Sequence, residues 1–204
     1  RQECISINEI KNKNYLNLLN ARYIVSHSEI EGYTQVFSGN NLYVYKNTEA
    51  LPRAFIVHNY LVVEDREKVL DLIGRKDFDP LYYVLFDEPV LYQTRLDGFD
   101  YGEYANITEY TPNRIELKAK LNHGGFLVLS EINYVGWDAF VDGKITSILN
   151  ADYMFRSVYL EPGEHRVVFE YRPASFRLGI YLSLLGAVTL LIMFIYLYLK
   201  RAKK

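Results

Sequence analysis

One stretch of the sequence gathers side chains that could bind a sugar. Residues 130–144 read SEINYVGWDAFVDGK and contain the only tryptophan of the chain. The candidate glycan-binding residues each carry an aromatic ring or a carboxylate: Glu131, Tyr134, Trp137, Asp138 and Asp142. Aromatic rings offer a face on which a pyranose can stack, while ionised carboxylates accept hydrogen bonds from its hydroxyl groups. The stretch therefore predicts a possible glycan-binding surface.

A structural role explains the same residues, and we consider it the more frequent outcome of such a pattern. Trp137 has the parity of Val135, Ala139 and Val141, so a strand would place the four side chains on one face. Asp142-Gly143 is a strong hairpin signal. We therefore expect Trp137 to be a core residue of a β-sandwich. Two carboxylates could also serve glycoside hydrolysis, but this depends on a separation in space that a sequence does not give.

The remaining reactive residues form no motif that indicates catalysis or metal binding. The histidines lie at positions without metal-ligand spacing: His27, His58, His123 and His165. Cys4 has no second cysteine for a disulfide and no recognisable partner base. Asn106-Ile107-Thr108 matches a glycosylation sequon, which matters only in a compartment that contains the transferase. We assign no catalytic residue, no metal site and no cofactor to this chain.

The C-terminal segment predicts one transmembrane helix over residues 178–199. It reads LGIYLSLLGAVTLLIMFIYLYL, without a charge or a proline. A helix rises about 1.5 Å per residue, so roughly 20 apolar residues cross a hydrocarbon layer about 30 Å thick. Tyr181, Tyr196 and Tyr198 lie near its ends, where tyrosine favours the membrane interface. Membrane lipid is therefore an expected partner.

The basic tail predicts the orientation of this helix. Residues 200–204 contain four cations, which the positive-inside rule retains in the cytoplasm. Residues 1–177 would then be extracytoplasmic and held at the cell membrane. The chain begins with Arg1 and shows no secretory signal, so we expect an upstream part of a larger protein to deliver it. A tail-anchored cytosolic protein is the alternative, and it opposes the charge bias.

Composition excludes one class of partner for the globular part. Without the four tail cations, 19 Lys and Arg remain against 25 Asp and Glu, a formal charge of −6. Such a balance opposes nucleic-acid binding, which needs a basic surface. The 19 tyrosines, together with the β-branched residues, favour strands.

Hydrophobic patterns divide the globular part into two units. In the first, residues 1–86, we expect a small α+β fold. Its predicted elements are a helix over 8–20, strands at 21–26, 33–39 and 42–47, a central strand over 52–63, and a helix over 64–74. Gly39-Asn40-Asn41 tolerates left-handed backbone and predicts a hairpin. Acidic residues in its first turn and Gly74 at its end mark the second helix.

The second unit, residues 87–177, predicts an antiparallel β-sandwich. Residues 87–113 contain a loop and a weak strand around 104–110. Residues 113–121 alternate with period two, which places Ile115, Leu117, Ala119 and Leu121 on one face. Further strand-like runs follow at 125–131, 137–149, 154–160 and 165–171, separated by turn residues. The short spacing of these runs is typical of a sandwich.

Several long runs resemble the region before the last membrane helix of YfhO-like bacterial and archaeal membrane proteins. They are LNLLNARYIVS (16–26), LYVYKNTEALPRAFIVHNYLVVED (42–65), FDP (78–80), ANITEYTPNRIELKAKLNHGGFLVLSEINYVGWDAFVDGK (105–144) and LEPGEHRVVFEYRPASFRLG (160–179). The resemblance implies a C-type membrane glycosyltransferase with many membrane helices and a lipid-phosphate-linked sugar donor. The catalytic acidic residue of that fold, usually with a metal site, lies in an early extracytoplasmic loop, which these residues do not include.

Two functions are therefore weighed. In the first, the chain is the C-terminal, non-catalytic, extracytoplasmic accessory region of such a glycosyltransferase, with the upstream transmembrane domain and a glycan or lipid-linked sugar as partners. In the second, it is a freestanding membrane-anchored β-sandwich that binds or scaffolds. Ten or so further hydrophobic spans upstream of Arg1 would favour the first.

Overall fold

The structure, a computed structural model, describes residues 13–92 and 101–202. Cys4, residues 8–12 of the first predicted helix, and Lys203 and Lys204 of the tail lie outside the described residues. In chain order the elements are α1 (Lys13–Leu18), β1 (Tyr23–Ser26), β2 (Thr34–Gly39), β3 (Leu42–Lys46), β4 (Ala54–Val57), β5 (Asn59–Val62), α2 (Arg66–Ile73), β6 (Tyr83–Phe86), β7 (Tyr104–Thr111), β8 (Arg114–Leu121), β9 (Gly125–Ile132), β10 (Trp137–Val141), β11 (Lys144–Thr146), β12 (Leu149–Ala151), β13 (Phe155–Leu160), β14 (Gly163–Tyr171) and α3 (Ala174–Ala202).

Two sheets pack face to face and confirm the predicted sandwich. The five-stranded sheet has the order β11-β10-β14-β8-β7, and the six-stranded sheet has the order β4-β9-β13-β12-β6-β5. Every strand pair in them is antiparallel except β5 with β6. The mixture of helices and strands in residues 13–86 and the C-terminal helix agree with the predicted fold class. The three-stranded sheet β1-β3-β2 is separate.

Strand periodicity sets the core between the two sheets. On β8, Ile115, Leu117, Ala119 and Leu121 are buried, as the alternation predicts. Leu127 and Leu129 of β9 belong to the same buried cluster, together with residues of β10, β13 and β14. Because successive side chains of a strand point to opposite faces, Phe126 and Val128 point away from this core. They belong to a second buried cluster on the other side of the six-stranded sheet.

The six-stranded sheet curls, and its curl encloses that second cluster. Strands β4 and β5 lie at opposite edges of the sheet, although only His58 separates them in the chain. The two edges must therefore approach each other at His58. The prediction of one central strand over 52–63 is wrong. An apolar run gives the burial of a segment but not its strand partners, so the sequence did not reveal this break.

The helix predicted over 64–74 is confirmed as α2, and it connects the parallel strands β5 and β6. Asp65 caps it, because the Asp65 side chain accepts a hydrogen bond from the backbone N–H of Glu67 at 3.0 Å. Val69 and Ile73 are buried against the second cluster. Strand β6 was not predicted, although its sequence lies in the aromatic run 82–86, with Pro80 before it and Pro89 after it.

The six-stranded sheet crosses the predicted boundary at residue 86. Strands β4, β5 and β6 precede that boundary, and β9, β12 and β13 follow it. Buried contacts also cross it: the Ser130 hydroxyl donates to the backbone carbonyl of Leu18 at 2.6 Å. Residues on the two sides of position 86 are thus hydrogen-bonded neighbours within one sheet. The hairpin at Asn40-Asn41 is confirmed, with φ angles of 52° and 58°.

Helix α3 follows the last strand of the sandwich and contains the predicted span 178–199. Arg172 and Pro173 connect β14 to α3. The helix is long and apolar enough to cross a membrane, and none of its most apolar 18-residue window is buried. We call the end of the sandwich where β14 passes into α3 the helix-proximal end, and the opposite end the far end.

Asp152 is a buried carboxyl in the turn between β12 and β13. Its Oδ1 accepts a hydrogen bond from the backbone N–H of Leu85 at 2.9 Å, and its side chain is almost completely buried. Oδ2 has no hydrogen-bond partner among the described residues. Burial raises the pKa of Asp152 to about 7 from its usual value of 3.8, although the Leu85 hydrogen bond partly opposes the rise.

We expect Asp152→Asn to remove a pH dependence of folding stability. A carboxyl whose pKa is higher in the folded state holds its proton more tightly there. Its contribution to the free energy of unfolding is therefore largest below pH 3.8 and falls as the pH rises to about 7. The full effect is on the order of 4 kcal/mol, an upper limit. Asparagine tolerates the positive φ of 46° and keeps the Leu85 acceptor.

Thermal unfolding of wild type and Asp152→Asn at pH 5 and pH 8 tests this expectation. The variant should gain melting temperature over wild type at pH 8, and this gain should be clearly smaller at pH 5. Asp77→Asn, at an exposed carboxylate, is the matched control and should show no such difference. A gain for Asp152→Asn that is equal at both pH values would contradict the explanation.

Candidate functional site

A groove lies between β4 and β7, the neighbouring edges of the two sheets. Its volume is about 370 Å³, at the lower end of the range for small-molecule sites. Its polar and aromatic lining consists of His58, Asn59, Tyr82, Glu103, Tyr104 and Asn106. Ala54, Phe55 and Ile56 add an apolar part. Aromatic and amide side chains over an apolar surface suit a ligand with both C–H and hydroxyl groups.

His58 and Glu103 form a buried pair at one end of this groove. The His58 Nε2 lies 2.7 Å from Glu103 Oε2, and both side chains are 8% exposed. The His58 Nδ1 lies 2.9 Å from the carbonyl oxygen of Gly124, which can only accept, so Nδ1 donates. The backbone N–H of Asn122 donates to Glu103 Oε1 at 2.7 Å. Both ring nitrogens of His58 are thus engaged, and the pair joins the segment before β7 to the far end of β9.

Gly125 makes room for the His58 ring. A Cβ on Gly125 would lie 2.7 Å from Nδ1 of His58, which is too close for any side chain. Sequence analysis missed this pair, because His58 and Glu103 are 45 positions apart. The one signal in the sequence is a histidine that interrupts an apolar run.

Trp137, the centre of the predicted glycan surface, is half-buried at the start of β10. It packs partly against the core between the sheets and lies opposite Tyr171, with ring centroids 5.4 Å apart. Ala139 shares its face and is buried, as predicted. Val135 does not share this face, contrary to the prediction, because β10 begins only at Trp137. Val135 lies in the preceding loop and is 86% exposed.

The face of Trp137 is occupied by a buried arginine. The guanidinium of Arg156 lies 3.9 Å from the ring centroid of Trp137, a cation–π geometry, and Arg156 is 2% exposed. Its Nη2 is 3.9 Å from Glu131 Oε2, while Nε and Nη1 have no hydrogen-bond partner in the described chain. Burial lowers the pKa of Arg156 to about 10, partly opposed by Glu131 and Tyr110. The ring of Trp137 thus covers a cation that water does not reach.

Glu131 is held by two further partners at the helix-proximal end. It pairs with Arg53 and accepts a hydrogen bond from the hydroxyl of Tyr110. Burial, followed by this hydrogen bond, raises the pKa of Tyr110. The pairing of β9 with β13 jumps from Leu129 to Ile132 between consecutive residues of β13. Such a bulge turns the intervening side chains out of the regular alternation, which lets Glu131 reach these partners.

The other predicted residues lie apart from this cluster. Asp138 follows Trp137 on the strand and so points to the opposite face, in register with Glu170. Asp142 directly follows the last residue of β10, about 16 Å from Trp137 at roughly 3.3 Å per residue. Tyr134 is 65% exposed in the loop before β10. The structure therefore brings Glu131 and Trp137 together around Arg156 and separates Tyr134, Asp138 and Asp142 from them.

Asp142 is engaged in a turn. Its side chain accepts hydrogen bonds from the backbone N–H of Arg166 at 2.9 Å and from Nδ1 of His165 at 2.8 Å. These bonds lower the pKa of Asp142. The positive φ angles of Asp142 and Gly143, 51° and 79°, confirm the predicted hairpin.

Arginine–glutamate pairs cover the outer face of the five-stranded sheet. Arg114 pairs with Glu109 at 3.0 Å, with Glu116 at 2.7 Å, and with Glu170. Arg166 makes two bonds of 2.7 Å to the same Glu116, and the two arginines lower the pKa of Glu116 to about 2. Glu116 therefore stays ionised and paired with both arginines near neutral pH. Within residues 13–92 and 101–202, no group of three metal-ligating side chains is placed to hold a metal ion.

Part of the chain matches a known protein family. Residues 101–183 match the family model described as bacterial membrane protein YfhO. No curated protein and no solved structure matches the chain significantly. The matched residues begin before β7, include the five strands of one sheet, and end within α3.

Trp137→Ala tests whether the ring is structural. We expect a loss of about 2–4 kcal/mol in the free energy of unfolding, because the change opens a cavity and uncovers the Arg156 guanidinium. The melting temperature of the detergent-solubilised chain measures this loss. Trp137→Phe keeps a ring over Arg156 and should lose less.

Asp138→Asn, the neighbour on the opposite face, is the control and should change the free energy of unfolding by no more than about 0.5 kcal/mol. Asp142 is unsuitable as a control, since it holds the hairpin turn. An unchanged melting temperature for Trp137→Ala would favour a glycan platform over a structural ring.

Proposed function

We propose that this chain, of which residues 101–183 match the YfhO family model, is the C-terminal accessory region of a polytopic membrane glycosyltransferase. In this proposal the sandwich is extracytoplasmic, and the catalytic residues and the site for a lipid-linked sugar donor lie upstream. The chain itself does not catalyse the transfer.

This proposal rests on the family match, which extends into the apolar helix α3. The match includes the strands from β7 to β14 and extends into α3. Only Arg172 and Pro173 separate the last strand from the helix, which supports a position of the sandwich close to the membrane surface. A module in that position can reach a lipid-linked substrate or the external face of neighbouring membrane helices.

The pairing of the candidate side chains supports an accessory role. Glu131 is engaged by Arg53 and Tyr110, and Asp142 by a backbone N–H and His165. The two ring nitrogens of His58 are also engaged. A general base needs a lone pair directed at its substrate, whereas these polar atoms contact protein partners.

The groove between β4 and β7 is the better place for a sugar than the surface around Trp137. The Trp137 face is covered by Arg156, whereas Tyr104 and Tyr82 line an open groove beside Asn59 and Asn106. In the proposal, acceptor glycan binds there. The groove lies toward the far end of the sandwich, because Tyr104 pairs with Lys120 near the end of β8.

We expect the chain alone to show no turnover. Reconstituted in lipid nanodiscs and given polyprenyl-phosphate-linked sugars, it should neither transfer nor hydrolyse the sugar, while the complete protein encoded by its gene should transfer it. In the complete protein, Tyr104→Ala should raise the KM for acceptor without changing the melting temperature. Radiolabelled sugar released or transferred is the readout.

Tyr101→Ala is the matched control, since Tyr101 is 91% exposed and does not line the groove. Turnover by the chain alone would overturn the accessory role. A gene without further hydrophobic spans would instead favour a freestanding membrane-anchored binding protein.

The orientation is tested by labelling thiols on intact cells. In a Cys4→Ser background, we expect Lys144→Cys in the exposed β10–β11 hairpin to react with a membrane-impermeant maleimide. A cysteine added after Lys204 should react only after permeabilisation, because each cation near an anionic cytoplasmic leaflet contributes about 1 kcal/mol. Labelling of the added cysteine alone on intact cells would reverse the orientation.

A further inference from the structure

The loop between β9 and β10 exposes apolar side chains that neither the core nor the groove uses. Ile132 at the end of β9 is 60% exposed, and Tyr134 and Val135 are 65% and 86% exposed. Single exposed apolar residues are ordinary, but three within four positions form a small apolar tip. We call residues 132–136 the β9–β10 loop.

Hydrogen bonds hold this loop at both sides of its tip. The backbone N–H of Asn133 donates to the carbonyl of Met154 at 2.7 Å, and the backbone N–H of Arg172 donates to the carbonyl of Gly136 at 2.7 Å. Gly136 has a φ of 105°, and a Cβ there would lie 3.1 Å from the Cβ of Pro173. The loop is therefore fixed directly against the residues that lead into α3.

The position of α3 indicates how close the β9–β10 loop lies to the hydrocarbon layer of a membrane. The apolar span begins at Leu178, about 6 Å along the helix from Ala174 at about 1.5 Å per residue. The headgroup layer of a bilayer is itself about 5–7 Å thick on each side. Pro173 and the neighbouring Gly136 must then lie at or within the headgroup layer, and any tilt of the helix brings them closer to the hydrocarbon.

The charges around the loop suit an anionic lipid surface. Arg172 and Arg177 flank the start of α3 and are exposed. The nearby carboxylates Glu131 and Glu170 are paired with arginines, which reduces their repulsion of phosphate groups. Tyrosine beside basic residues is the composition that proteins use at membrane interfaces.

We propose that the β9–β10 loop is a second membrane contact, which inserts Tyr134 and Val135 into the headgroup region beside α3. The sandwich is then held by two contacts, the helix and the loop, and its orientation on the bilayer is fixed rather than free about a single connection. The occupant of this surface is phospholipid. The proposal rests on α3 crossing a membrane and is independent of the glycosyltransferase role.

Spin labelling of the whole chain in lipid vesicles tests this contact. In a Cys4→Ser background, Val135→Cys and Ile145→Cys each receive a nitroxide, and the chain is reconstituted in phosphatidylethanolamine–phosphatidylglycerol vesicles. Ile145 is the matched control, because it is an aliphatic residue 72% exposed on β11, and its strand partner Phe140 lies about 10 Å further from α3 than Trp137 at roughly 3.3 Å per residue. Power saturation then compares collisions with oxygen, which concentrates in lipid, and with a water-soluble nickel chelate.

We expect the oxygen-to-nickel collision ratio at position 135 to be severalfold higher than at position 145. Equal ratios at the two positions would overturn the proposal, since the loop would then lie in water. Protection of position 135 from both reagents would also overturn it, because protein rather than lipid would cover the loop. Melting temperatures of the two labelled chains confirm that neither label disturbs the fold.

Discussion

The structure depends on burying both faces of strand β9. Every residue of β9 from Gly125 to Ser130 is buried, with Phe126 and Val128 in one core and Leu127 and Leu129 in the other. Strand β9 therefore lies between two hydrophobic cores and contributes side chains to both. The curled part of the six-stranded sheet with α2 covers one face, and the five-stranded sheet covers the other. Neither half can therefore keep its core without the other.

The two ends of the sandwich have different surroundings. At the far end, His58 and Glu103 join the turn before β9 to the segment before β7, beside the open groove. At the helix-proximal end, Arg156 is enclosed by Trp137 and Glu131, close to the residues that enter α3. A buried cation is unfavourable without partners, and the aromatic face and the carboxylate reduce that cost. The groove therefore lies toward the end of the sandwich away from α3, and the apolar β9–β10 loop lies at the end beside α3.

The sequence pattern was sufficient to predict the structure wherever that structure depends on residues only a few positions apart. The alternation at 115–121, the Asp142-Gly143 and Asn40-Asn41 turns, the capped helix at 66–73 and the long apolar helix all follow from neighbours within a few positions. The composition of the candidate site depended on contacts between residues far apart in the chain. Adjacent residues of a strand point to opposite faces, so Trp137 and Asp138 separate despite being neighbours, while Trp137 and Arg156 meet across the two sheets.

The sequence by itself determined the class of this protein: short antiparallel strands, one membrane span, and the resemblance to YfhO-like proteins that the match over 101–183 confirms. Only the tertiary structure decided that residues 52–63 break into two strands at opposite edges of one sheet, and that His58 then meets Glu103. The physical reason is that hydrophobic periodicity records how deeply a segment is buried, whereas strand partners are chosen by packing between segments far apart in the chain.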